Sequence, residues 1–219
     1  MKSDSSAYRI NANAYKQCFW MMGYILSNPT LLTTLQNEVS PAISEGTSGL
    51  EYRLEQHCPR LRAVYLEILR LSSSSSTVRG VMQPTDIGNK TLKTGASILI
   101  PNRRLHLNPE IFGENAEHFD PERFLRDPSL SKNPNFRPFG GGKTYCPGRY
   151  LAEREILTFV ALAIHRFDIR IATGTPAHAC KTEVALPDFP RIDKKKFCLG
   201  IMEPVKGDDM IIDIRPRVQ

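Results

Sequence analysis

Residues 139–149 read FGGGKTYCPGR, where one cysteine follows three glycines and precedes a Pro-Gly step. An apolar pattern at helical spacing comes next: Tyr150, Leu151, Ile156, Leu157, Val160, Leu162 and Ile164. Pro147 suits the first turn of that helix, because its missing N–H would have had no partner there. The spacing therefore predicts Cys146 at the N-cap edge, facing free backbone N–H groups and the positive end of the helix dipole. Such surroundings suit a sulfur anion, the form in which cysteine binds a metal. Gly140, Gly141 and Gly142 permit tight turns and let a flat group approach the main chain. A thiolate in a glycine-lined loop beside Phe139 has the chemistry of an axial ligand to a planar iron cofactor. A lone cysteine in a glycine turn is more often a small buried apolar residue, so the spacing has to decide.

The spacing Phe139-x-x-Gly142-x-x-x-Cys146-x-Gly148 resembles the heme-binding signature of the cytochromes P450. In that family the cysteine is the proximal thiolate, whose electron push favours O–O cleavage. The resemblance implies that Cys146 is the metal ligand, with Phe139, Gly142 and Gly148 around heme b. Thr144 stands where the family often has a basic residue that contacts a heme propionate.

Three further elements resemble the family's in order and separation. Glu67 and Arg70 lie three apart and share a helix face, a pair worth about 0.2–0.5 kcal/mol when solvated. Read as the family's Glu-x-x-Arg, they would be joined by Arg123 of Pro121-Glu122-Arg123-Phe124 in one ion-pair cluster. Such a cluster acts more as a lock on the meander than as a large stability term. Arg79 falls where the family often places an arginine that pairs with a propionate. The first helix ends in Asn28-Pro29. Anchored there and on Trp20, Ala12 and Asn13 stand at the family's usual acid and Thr, which help deliver protons during oxygen activation. Asn13, Thr144 and Ser72 to Arg79 resemble the cholesterol 7α-hydroxylase and prostacyclin synthase branch. Ala12 carries no proton, whereas Asn13 donates and accepts hydrogen bonds.

These residues need a scaffold, and the pattern outlines it. Helices are predicted over Ser6 to Ser27, Pro29 to about Ile43 and from near Pro59 through Arg70, with a polar link from Ser44 to Gly49. Strands follow over Thr77 to Met82, Lys90 to Leu92 and Ser97 to Ile100, with turns at Asp86 to Asn89 and Thr94-Gly95. A short helix over Asn102 to Leu107 leads into a proline-punctuated meander from Asn108 to Phe124. After the cysteine helix come strands over His165 to Ile171 and Thr182 to Leu186. A closing hairpin over Phe197 to Arg215 would turn at Lys206-Gly207-Asp208. The fold class is mainly α with small β-sheets, and the resemblance implies the C-terminal half of the cytochrome P450 fold. Residues 1–219 then form a partial P450 domain that lacks the family's N-terminal half.

At 219 residues, with 41% apolar and 24% charged side chains, the composition is that of an ordinary globular protein. The net charge of +6 gathers in part around the cysteine loop, at Lys132, Arg137, Lys143, Arg149 and Arg154. That basic face would suit an acidic electron-transfer partner, an NADPH-dependent reductase. Nucleic acid is not expected, since no basic run is interleaved with aromatics. Five widely spaced cysteines suggest neither a disulfide framework nor a zinc site and fit a reducing compartment. The N-terminus has no signal-peptide core, and the apolar run Cys18 to Leu26 is shorter than the roughly 20 residues of a bilayer span. Full-length relatives typically sit at the endoplasmic reticulum membrane; this stretch by itself fits the cytoplasm. Three functions stay open. One is a monooxygenase inserting oxygen from O2 into a lipophilic small molecule, such as a sterol, fatty acid or secondary metabolite. The second is a heme-thiolate isomerase or dehydratase acting on a peroxide. The third is an inactive fragment.

Overall fold

The computed structural model describes residues 12–172, 189–196, 198 and 200–217. The chain opens with α1 (Ala12–Leu26) and α2 (Pro29–Ser44). Asn28 separates them as an N-cap, its side-chain oxygen accepting from the Leu31 amide at 3.0 Å with Pro29 in the first turn. Next come α3 (Leu50–His57) and α4 (Pro59–Ser72). No apolar periodicity in the sequence marks α3. It forms because Leu50 and Leu54, one turn apart, are both buried, while Arg53 folds back onto the Ala42 and Ser48 carbonyls, each at 2.7 Å. Gly49 supplies the left-handed turn into it, with φ +67°.

Helix α4 is enclosed on nearly every side from Ala63 to Ser72. Its free N-terminal amides find the Glu38 carboxylate of α2, which accepts from Arg60 and Leu61, each at 2.9 Å. Burial nonetheless pushes the Glu38 carboxyl above its usual range. Trp20, Met21 and Ile25 of α1, Leu35 and Val39 of α2, and Val64 and Ile68 of α4 make one core with a later helix, α8 (Arg149–Arg166).

Strands β1 (Ser76–Gly80) and β4 (Ser97–Pro101) pair antiparallel, as do β2 (Thr85–Ile87) and β3 (Lys90–Leu92). The predicted turn at Asp86 narrows to Gly88-Asn89, and Asp86 itself sits in β2 opposite Thr91. Short helices α5 (Asn102–His106), α6 (Pro109–Phe112) and α7 (Arg123–Arg126) carry the meander toward the cysteine loop.

The C-terminal strands differ from the sequence expectation. Strand β5 begins at Phe167, because α8 runs through Arg166, and it pairs with β6 (Ile212–Pro216) in the register Ile169↔Ile214. The turn at Gly207 is present, with φ +90°, but it does not join two halves of a hairpin. The stretch before it already has a partner: Asp193 donates to the Glu203 carbonyl at 2.9 Å and Val205 to the Arg191 carbonyl at 2.8 Å. The predicted strand over Thr182 to Leu186 lies outside the described residues. Among the described residues the architecture is mainly α with three two-stranded antiparallel sheets. No helix among them is long and apolar enough to cross a membrane.

Candidate functional site

The cysteine loop is closed by its own backbone. The Cys146 amide donates to the Phe139 carbonyl at 3.1 Å, and a single 3₁₀ turn, Gly142–Thr144, fills the interval. Gly140 (φ +80°) and Gly142 (φ +65°) are left-handed, where a side chain would strain the chain. Helix α8 opens two residues later than Pro147 suggested, with Gly148 as its N-cap. The Cys146 carbonyl is taken by Arg149 Nη1 at 3.0 Å, while the Arg149 guanidinium lies over the rings of Tyr145 and Tyr150. Cys146 therefore stands just outside the helix, held at its amide and at its carbonyl.

The loop forms one wall of a cleft of about 520 Å³. Cys146, Phe139, Gly140 and Gly148 line it together with Leu151 and Ile156 of α8, Asn13 and Gln17 of α1, Tyr65 of α4, and β1 through Arg79. Asn13, Arg79, Phe139, Cys146 and Gly148 are thus brought to one cavity from elements far apart in sequence. Gly142 lies beside it, where an added Cβ would come 3.4 Å from Arg79 Nη2. Arg79 reaches across to the Gly141 carbonyl at 2.8 Å and also donates to the Val78 carbonyl. The Asn13 side-chain oxygen accepts from the Ile201 amide at 3.0 Å. An added Cβ at Gly200 would fall 2.3 Å from that oxygen and displace the Asn13 side chain. Thr144 contributes its backbone to the 3₁₀ turn.

Two wall residues were invisible as site residues in the sequence. Gln17 is buried, donating to the Tyr65 carbonyl and accepting from the Ser72 hydroxyl, each at 3.2 Å. Tyr65 is fully buried, and its hydroxyl has no hydrogen-bond partner. Both fall on apolar helix faces, so periodicity reads them as core. Among the described residues the other thiols are less suited to a metal. Burial pushes Cys18 and Cys58 up to about 11, and Cys198 is occupied by the Ile201 carbonyl and Gly200 amide.

Behind the loop, Glu67, Arg70 and Arg123 meet out of solvent. Arg70 grips the Glu67 carboxylate two-pronged at 2.7 and 2.8 Å, and Arg123 Nε approaches both its oxygens at 3.2 Å. The Asp120 amide supplies a further donor to Glu67 at 3.0 Å. The remaining guanidinium N–H groups go to meander carbonyls: Arg70 to His106 and His118, Arg123 to Phe112 and Asn115. One carboxylate thus anchors two arginines that together gather residues 106–123.

The cytochrome P450 family model matches residues 17–191. The chain belongs to that family. Among curated relatives, 24-hydroxycholesterol 7-alpha-hydroxylase of Mus musculus is 32% identical over 184 residues, covering 80% of this chain and 38% of the relative. A cytochrome P450 monooxygenase of Hypoxylon pulicicidum is 30% identical, covering 77% of this chain and 36% of the relative. Indoleacetaldoxime dehydratase of Arabidopsis thaliana is 31% identical, covering 71% of this chain and 32% of the relative. The chain spans about a third of the length of these relatives. The P450 cofactor is heme with thiolate-ligated iron. The residues present fit it: a sulfur in the wall of a cleft, left-handed glycines beside it, a guanidinium at Gly141 and an unpartnered buried hydroxyl at Tyr65.

Proposed function

We propose that this chain is the heme-holding part of a P450 monooxygenase that inserts oxygen from O2 into a lipophilic small molecule. The observation that carries the reading is Cys146 in the wall of the cleft, held at both its amide and its carbonyl. Cys146 would ligate the iron, Phe139, Gly142 and Gly148 would border the cofactor, and Arg79 would pair with a propionate. Thr144 takes the place of a second basic contact. When bound, the group supplies oxygen activation, which the thiolate favours by pushing electron density toward the iron. The protein's part is to fix the sulfur and keep its surroundings dry. Lys132, Lys143 and Arg154 are exposed around the loop and suit an acidic reductase surface, whereas Arg149 is turned onto the loop itself. Heme loading followed by reduction under CO tests the assignment. The thiolate Soret signature should appear in the wild-type chain and vanish in Cys146→Ser. Its retention there, with loss on changing Cys58, would overturn it.

A second reading, isomerisation or dehydration of a peroxide, is favoured by Asn13. The family's acid-Thr pair is Ala12-Asn13 here, and Asn13 sits in the cleft wall with its oxygen committed to Ile201. A substrate that brings its own O–O bond needs less proton delivery from this helix. In a version of the protein that turns over, Ala12-Asn13 changed to Asp-Thr should raise product formed per NADPH consumed if monooxygenation is the native reaction. Turnover of a peroxide without NADPH, unaltered by the change, would favour the second reading.

A further inference from the structure

We propose that His106 is a positioning residue for the cysteine loop, acting through the hydrogen bond that its Nε2 accepts from the Arg137 amide. The role of that loop rests on the heme reading above; the hydrogen bond itself does not.

His106 closes α5 and is fully buried. Its carbonyl accepts from Arg70 Nη1 at 2.9 Å, and its Nε2 accepts from the Arg137 amide at 2.9 Å. Its ring packs on Phe136 at 5.6 Å between centroids, and Phe136 packs in turn on Phe124 at 5.1 Å. One residue thus meets the ion-pair cluster through its carbonyl and the entry of the loop through its ring. From Arg137 the chain is fixed step by step toward the sulfur. The Arg137 carbonyl accepts from Gly140 at 3.1 Å, the Pro138 carbonyl from the Ser73 hydroxyl at 3.2 Å, and the Phe139 carbonyl from Cys146 at 3.1 Å. His106 and Ser73 are the side-chain anchors of this entry among the described residues.

The Arg137 bond needs a neutral imidazole. Once protonated, both ring nitrogens are donors, and Nε2–H would meet the Arg137 N–H head-on. Nδ1 is buried without a hydrogen-bond partner, and the Arg70 backbone, which favours the charged form, is the weakest of the influences on the ring. The charged groups around the ring are Arg70 of α4 and Arg103 of its own helix. Glu67, the nearest carboxylate of the cluster, is already shared by Arg70 and Arg123. Burial first, then these two cations, hold the imidazole down to about 4. The bond therefore persists through neutral pH and is lost as pH falls toward that value.

Amide hydrogen exchange at Arg137 in the heme-free chain, corrected for the intrinsic pH dependence of exchange, tests this directly. In the wild type, protection should drop about ten-fold or more between neutral pH and pH below about 4. His106→Gln keeps an acceptor that does not titrate, and should hold protection at both pH values. His106→Phe should lose it at both while the amide of Val64, in the core, stays protected. After heme loading, the thiolate Soret signature should survive to lower pH in His106→Gln than in wild type. Wild-type protection at Arg137 that ignores pH, or a His106→Gln profile equal to the wild-type one, would overturn the proposal. If His106→Phe does not fold, the pH profile of His106→Gln decides. Failure of the wild type to show a thiolate signature, with the Arg137 profile as expected, would remove the heme reading and with it the loop's role.

Discussion

At the scale of single residues, Tyr65 sets the stability of the chain against the needs of its cleft. A buried hydroxyl without a partner costs about 1–3 kcal/mol, and Tyr65 is such a group in the wall that also holds Cys146. Burial pushes its phenol above the ordinary range, with the charges of Glu153 and Cys146 adding to the rise. The hydroxyl therefore stays protonated and is a donor in search of an acceptor. Tyr65→Phe, which fills nearly the same volume, should raise the denaturant midpoint of the heme-free chain. A lower midpoint would show that the hydroxyl has a partner. The motif residues could be read from sequence because fixed spacing marks them. Tyr65, Gln17 and Gly200 could not: the first two sit on apolar helical faces, and Gly200 matters only because Asn13 arrives there from 187 positions earlier in the chain.

At the scale of elements, the Glu67 carboxylate ties α4 to α7 and, through Arg70, to the end of α5. With both partners buried, removing one arginine leaves a charge unpaired, which typically costs about 3–5 kcal/mol. Arg123→Ala should therefore lower the unfolding midpoint sharply and reduce the amount of heme retained. Normal stability and normal heme content in that variant would show that the cluster has no part in holding the meander. The helices and their order were legible because apolar periodicity and the Asn28-Pro29 boundary are local signals. Helix α3 was not, because its eight residues are mostly polar and its N-cap, Gly49, offers no side-chain cap. The pairing of β5 with β6 was not either, because it joins segments more than 40 residues apart, and local pattern names a strand but not its partner.

At the scale of the whole molecule, the C-terminal segment is fastened to α1, which walls the cleft. Trp20 Nε1 donates to the Met202 carbonyl at 2.7 Å, the Met202 amide to the Ser72 carbonyl at 2.9 Å, and the Ile201 amide to Asn13 at 3.0 Å. Glu203, the next residue, is held by Lys16 of α1 at 2.8 Å and by Lys196. These two lysines draw the Glu203 carboxyl down to about 2 from an ordinary value of 4.5. A depressed carboxyl contributes stability that is complete above 4.5 and is lost as pH falls toward about 2. Within that window the fastening should loosen from the Glu203 end. Trp20 is the sole tryptophan of the chain and is fully buried, so its emission reports the event without added label. Wild-type emission should shift to longer wavelength as pH falls through this window, and the shift should reverse on neutralisation. Glu203→Gln has no carboxylate to protonate and should lose that step, keeping only the acid response that begins nearer to about 4 with His106. Lys16→Met should behave like Glu203→Gln, because the tie to α1 runs through that lysine. An identical acid profile in all three proteins would show that the segment is held by the Trp20 and Asn13 bonds alone, and that the Glu203 pair is a surface contact without weight.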